Sequence, residues 1–173
     1  MRELETDRLR LRHVRREDAQ RIFDFWAGDP QVTKYLTWLP HASVEVTALV
    51  MDHWLAEYEK PDTYRYGIEL KESGELIGMI DVVEYLDGCP EIGYCSGRPA
   101  WGHGYMTEAL RAMCKMLFEE GFQTIFIRAQ RENIGSNRVI QKAGFRFLGS
   151  FEAPQGRAKP EIVTINSYRL DRA

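Results

Sequence analysis

At 173 residues, 44% hydrophobic and 28% charged, the chain has the make-up of one soluble globular domain, residues 1–173, long enough to bury a real core. A net charge of −3 and a pI near 5.9 carry no polyanion-binding signature, which sets nucleic acid aside as a partner. The three cysteines (Cys89, Cys95, Cys114) are odd in number and lack C-x-x-C spacing, and the four histidines are scattered, so neither disulfides nor a metal is expected.

The first residues, "MRELETDRLRLRH", are charged from the second position onward, unlike a signal peptide. No apolar run approaches the ~18 residues of a membrane helix. The expectation is a cytoplasmic chain with reduced thiols and no membrane contact. "LRLRH" alternates with the period of a half-buried strand. "REDAQRIFDFWAG" spaces Ala19, Ile22, Phe23 and Trp26 as a helix does and closes at Gly28. A second helix is expected in "SVEVTALVMDHWLAEYEK", with Ser43 as N-cap and Val46, Leu49, Val50, Trp54 and Tyr58 as its apolar stripe.

"YRYGIEL" and "LIGMIDVVEYL" then read as strands joined by "KESGE", and "PEIGYCS" follows the turn "LDGC" as a third antiparallel strand. A long helix buries Ala109, Leu110, Met113, Cys114, Leu117 and Phe118, turns Arg111, Lys115 and Glu119 outward, and stops at Gly121. "TIFIRA" is a short strand, "SNRVIQKAGF" a short helix, and "FRFLGSF" and "EIVTINSYRL" the last two strands, with "EAPQGRAKP" as their loop. The order β-α-α-β-β-β-α-β-α-β-β predicts an α/β (α+β) domain with a mixed, mostly antiparallel sheet, parallel where the long helix crosses over. Edge strands at the C-terminus make a homodimer an expectation as well.

The turn "WGHGYMT" spends two glycines directly ahead of the long helix. A helix start behind a flexible turn presents unpaired N–H groups and the positive end of the helix dipole, which is an anion site. A P-loop would need G-K-[ST], where this chain has Gly104-Tyr105-Met106. A Rossmann fingerprint would need glycine at position 107, where Thr107 stands, and would open a parallel unit. The pyrophosphate of coenzyme A is the remaining candidate; against it stands a plain tight turn feeding a helix.

The flanking residues decide the reading. "EIGYCSGRPAWGHGYMTEAL" resembles motif A of the GNAT superfamily of N-acetyltransferases, and more closely the branch that holds the ribosomal-protein N-terminal acetyltransferases. "NIGSNRVIQKAGFRFLG" and the opening "ETDRLRLRHVRREDA" resemble the same branch, so the resemblance spans nearly the whole chain in order. It implies a GNAT fold, acetyl-CoA as acyl donor, and a primary amine as acceptor, on a protein N-terminus or a small molecule. A domain of the same fold that binds acyl-CoA without chemistry is the alternative.

Residue by residue, the resemblance places Trp101, Gly102, His103, Gly104, Tyr105, Met106 and Thr107 at the pyrophosphate, and Met106 is bulkier than the usual residue there. Backbone groups of Cys95 and Ser96 would pair with pantetheine while "TIFIRA" splays away. Asn133 and Asn137 would lie near the cofactor, their plainer roles being a turn residue and a solvated first-turn residue. Glu91 is the candidate general base acting through water, against a solvent-facing carboxylate at a strand end. Ser136 is the candidate partner of the leaving thiolate, against an N-cap. Ile140 fills the position where many relatives carry a tyrosine acid. The alternating Arg8, Arg10 and Arg12 suggest a solvated strand edge, and segments 29–64 and 152–160 the acceptor side.

Overall fold

The structure, a computed structural model, describes residues 2–173. It opens with β1 (Leu4–Glu5) and β2 (Leu9–Arg12), followed by α1 (Ala19–Ile22), α2 (Pro30–Thr33) and α3 (Val44–Glu57). The strands β3 (Arg65–Leu70), β4 (Leu76–Leu86) and β5 (Cys89–Ser96) form an antiparallel meander. Then come α4 (Tyr105–Glu119), β6 (Thr124–Gln130), α5 (Ile134–Lys142), β7 (Arg146–Gly156) and β8 (Lys159–Asp171). The strands join in one eight-stranded sheet, β1-β2-β3-β4-β5-β6-β8-β7, with β5 and β6 parallel. The expected order holds, with β1 and the one-turn α2 added.

Turn chemistry explains most boundaries. Asp87 and Gly88, both at positive φ (51° and 78°), make the tight hairpin between β4 and β5. Helices α4 and α5 each end in a left-handed glycine, Gly121 (φ 103°) and Gly144 (φ 98°). In both, the next amide closes back on the helix, Phe122 to Leu117 O and Phe145 to Ile140 O, at 3.2 and 3.3 Å.

The sheet separates two cores. On one face α4 and α5 cover Ile80, Ile92, Ile125, Ile127 and Tyr168, burying Leu110, Met113 and Leu117 completely. Each of those three contributes roughly 1.5–3 kcal/mol by leaving water. On the other face α1 and α3 pack Ile22, Trp26 and Met51 against Met79.

Four expectations need correction. The first helix is not uniform: a 3-10 turn (Arg16–Asp18) leads into α1, which widens to a π turn over Phe23–Ala27. In α3 the buried positions are Thr47 and Met51, with Trp54 and Tyr58 half-buried, while Leu49 is 70% exposed. Thr47 tolerates burial because its hydroxyl meets His41 Nδ1 at 2.8 Å. The loop expected at "EAPQGRAKP" is strand: β7 and β8 stay paired as far as Gly156 and Lys159. Arg12, read as a solvated edge residue, is buried between Asp18 (2.8 Å) and Glu69 (2.5 Å), which satisfy its charge.

Candidate active site

β5 and β6 pair at Glu91–Phe126 and Ile92–Ile127 and then part. Gly97 N–H donates to Ile77 O (3.0 Å). The alternation of an antiparallel ladder therefore turns the amides of Gly93 and Cys95 toward β4 and those of Tyr94 and Ser96 toward the gap. The amides that face the gap are thus those of Tyr94 and Ser96, where Cys95 and Ser96 were expected, and the Cys95 side chain packs against the second core. Ser96 O accepts from Trp101 Nε1 at 2.9 Å, which ties the half-exposed indole to this lip of the gap. On the other lip, Gln130 O accepts from Asn133 N–H (3.0 Å) and Asn137 Nδ2 (2.8 Å).

The glycine turn lies at the end of β5. Gly102 and Gly104 both take φ +78°, where a side chain costs roughly 1–2 kcal/mol. Glu108 N–H makes the first helical bond, to Gly104 O at 3.1 Å. Among the described residues, no acceptor in the chain meets the N–H groups of Gly102, His103, Gly104, Tyr105, Met106 or Thr107. That run of free amides at the start of a 15-residue helix is built for an anion. Met106 turns its side chain against the main core, so its bulk does not fill the turn.

Glu108, in the first turn, would repel an anion but is turned away and neutralised. Its carboxylate accepts from Thr6 Oγ1 (2.6 Å), Arg8 N–H (2.9 Å) and Arg8 Nε (2.7 Å). Partial burial raises its pKa, and these hydrogen bonds outweigh that effect, holding it below the ordinary glutamate range. Arg8 also donates to His103 O (2.9 Å) and lies over the Tyr105 ring, which stacks with the exposed His103. Sequence reasoning missed Arg8 as the brace of this turn. Only its alternation with Arg10 was visible, because Glu108 lies 100 residues away.

At the start of α5, Asn133 is the N-cap and its Oδ1 accepts from Ser136 N–H at 3.2 Å. Ser136 is therefore the third helical residue, not the cap. Its hydroxyl lies 2.8 Å from the hydroxyl of Tyr94, across the gap on β5. Asn137 is buried rather than solvated. Its Nδ2 donates to Gln130 O and Asn133 O, while its Oδ1 accepts from Tyr168 Oη (2.6 Å) and Asn166 Nδ2 (2.9 Å). Its amide is thereby committed inside the protein, tying α5 to β6 and β8. Ile140 is fully buried.

Glu91 is 6% exposed and pairs with Arg128 of β6, whose Nε donates to its Oε1 at 2.8 Å. It is not the solvated strand-end carboxylate of the plainer reading. A register shift in β4 sets Glu84 opposite Glu91, and Arg128 separates the two like charges. Arg128 Nη2 aims its proton at Glu84 (3.0 Å). It touches Glu91 Oε2 at 2.6 Å without an in-line hydrogen bond, so among the described residues that buried oxygen is held by charge alone. Burial pushes the Cys95 and Cys114 thiols up to about 12, which makes both inert. Among the described residues, no cluster of His, Cys, Asp and Glu could hold a metal ion.

The two segments expected on the acceptor side meet. Gln155 Nε2 donates to Lys34 O and Leu36 O (both 2.7 Å), and Lys159 Nζ donates to Thr33 O (2.6 Å). A Cβ on Gly156 would lie 2.1 Å from Thr37 O, so that backbone approach admits no side chain.

The sequence model of the family described as "Acetyltransferase (GNAT) domain" matches residues 8–146. An uncharacterized N-acetyltransferase, p20, of Bacillus licheniformis is 30% identical over 167 residues, 91% of each chain. The acetyltransferase of Salmonella typhimurium that modifies the N-terminal serine of ribosomal protein L7/L12 superposes with a TM-score of 0.84, at 17% identity, over 99% of this chain and 100% of that one. The microcin C7 self-immunity acetyltransferase MccE, solved with acetyl-CoA and AMP, gives 0.83 at 16% identity over 96% and 94%. The chain belongs to the GNAT acetyltransferase family and is an acyltransferase enzyme.

Proposed function

We propose that the enzyme transfers the acetyl group of acetyl-CoA directly to a primary amine, both substrates being bound together. The observation that carries this reading is the run of unpaired amides from Gly102 to Thr107 beside the gap between β5 and β6. These amides would hold the pyrophosphate of the donor, with Arg8 keeping the turn in shape. The outward backbone of Tyr94 and Ser96 would pair with the pantetheine arm as an added strand does. The donor supplies the activated acyl carbon; every other requirement falls on this chain's side chains.

Ser136 would donate its hydroxyl proton as a hydrogen bond to the departing sulfur, next to the positive end of α5. Glu91 would draw the acceptor ammonium and take its proton through water. Turnover should rise toward alkaline pH, where more of the amine arrives neutral. The joined segments around Leu36 and Gln155 would wall the acceptor side. The Salmonella neighbour's action on a protein N-terminus supports a peptide amine as the first acceptor to try.

The test is thiol release from acetyl-CoA with a panel of N-terminal peptides and small primary amines. Turnover with at least one class, reduced by Ser136→Ala in kcat rather than in the KM for acetyl-CoA, is the expected result. Tight CoA binding with no thiol release from any amine would refute catalysis in favour of a binding domain. Full activity in both Ser136→Ala and Glu91→Gln would refute the assigned roles.

A further inference from the structure

Tyr94 lies two residues past the last β5 residue paired to β6, at one lip of the gap. Ser136 sits in the first turn of the helix that follows β6, at the other. Their hydroxyl oxygens are 2.8 Å apart. We propose that Tyr94 is a positioning residue that aims and polarises the Ser136 hydroxyl toward the sulfur of the acyl donor. This inference rests on the acetyl-CoA reading above and deepens it.

The contact allows two directions, and the proposal takes one of them. A tyrosine hydroxyl has one proton, and the Tyr94 hydroxyl lies near both Ser136 Oγ (2.8 Å) and Ser136 O (3.2 Å). The carbonyl is the acceptor of the i+4 amide in the ladder of α5, and it is also the more distant of the two. In the proposed arrangement Tyr94 donates to the nearer Oγ rather than to the carbonyl, which leaves the serine's own proton free to point into the gap. A serine near a helix start commonly spends that proton on nearby backbone. Here, among the described residues, its recorded side-chain partner is Tyr94. A hydroxyl that accepts a hydrogen bond also becomes a stronger donor.

The neighbouring hydroxyl cannot take this part, because Tyr168 is committed to Asn137 Oδ1 at 2.6 Å. Burial of the Tyr94 phenol raises its pKa well above the ordinary range, so it keeps its proton at the alkaline pH that delivers neutral amine. No proton leaves Tyr94 in this arrangement. The amine nitrogen bonds the acyl carbon and gives its proton through water to Glu91. The carbon–sulfur bond breaks with its electron pair on sulfur, the serine hydrogen bond stabilises that thiolate, and water supplies the proton after release.

The test measures the thiol pKa of CoA bound to the protein, from the ultraviolet absorbance of the thiolate, in wild type, Tyr94→Phe, Ser136→Ala and the double variant. The wild-type protein should hold the bound thiol below its value in free CoA. Tyr94→Phe should raise it by up to about one pH unit, equivalent to a tenfold loss of thiolate stabilisation. The double variant should match Ser136→Ala alone, and kcat should fall in parallel while CoA affinity and melting temperature hold. An unchanged thiol pKa in Tyr94→Phe, or an additive double variant, overturns the inference. Failure of wild-type protein to bind CoA would instead overturn the functional reading beneath it.

Discussion

Asn137→Ala removes the side chain that fastens α5 to β6 and β8, and its cost can be worked out bond by bond. The Gln130 and Asn133 carbonyls each lose one donor but keep another, the amides of Asn133 and Asn137, both at 3.0 Å. Tyr168 Oη, on a side chain 1% exposed, loses its acceptor outright, at about 1–3 kcal/mol. The half-buried Asn166 Nδ2 loses a bond worth about 1 kcal/mol. Alanine returns roughly half a kcal/mol of helix propensity. The expected net loss is about 2–3 kcal/mol, read as a lower urea midpoint with an unchanged slope. Tyr168→Phe alone should cost about 1 kcal/mol, and the double variant should fall short of the sum by about as much, because the orphaned hydroxyl is gone. A loss under about 0.5 kcal/mol in Asn137→Ala, or strict additivity in the double variant, would refute the argument.

Gly104→Ala forces an L side chain to φ +78°, so it should destabilise by about 1–2 kcal/mol and, by distorting the amide cradle, weaken CoA binding in calorimetry more than it lowers stability. Equal affinity would separate the turn from the ligand. The Glu108 carboxyl, held below its ordinary value, contributes stability above the unfolded pKa and loses it as pH falls through the folded one. The stability gap between wild type and Glu108→Gln should therefore stand at neutral pH and close below about pH 4; a gap that persists in acid would contradict the cluster. Among the cysteines, half-exposed Cys89 should react fast with a thiol reagent at pH 8, while buried Cys114 should wait for unfolding.

Local signals were the legible part of this fold. The period-2 and period-3.6 patterns, the Asp87-Gly88 hairpin and the glycines closing α4 and α5 depend on near neighbours, and the structure follows them. Positions decided at long range were misread. Leu49 fits an apolar stripe by spacing, yet α3 turns Thr47 inward because His41 waits there for a hydroxyl. "EAPQGRAKP" carries loop-forming residues, but pairing across the hairpin and the clasp on Thr33–Leu36 hold it as strand. For the candidate site, motif order pointed to the glycine turn, Ser136 and Glu91. Their partners Arg8, Tyr94 and Arg128 come from other strands, and only the folded sheet brings them together. The alternation that turns the amide of Tyr94, rather than that of Cys95, toward the gap depends on strand register, which a run of residues does not declare.

The claim on which the account turns is that the amides at the start of α4 grip the diphosphate of coenzyme A. Titrating isotope-labelled protein with CoA and following each backbone amide tests it directly. The account predicts saturable 1:1 shifts that are largest from Gly102 to Thr107, with Tyr94 and Ser96 moving in step. Shifts centred elsewhere on the molecule, or none at millimolar CoA, would contradict it.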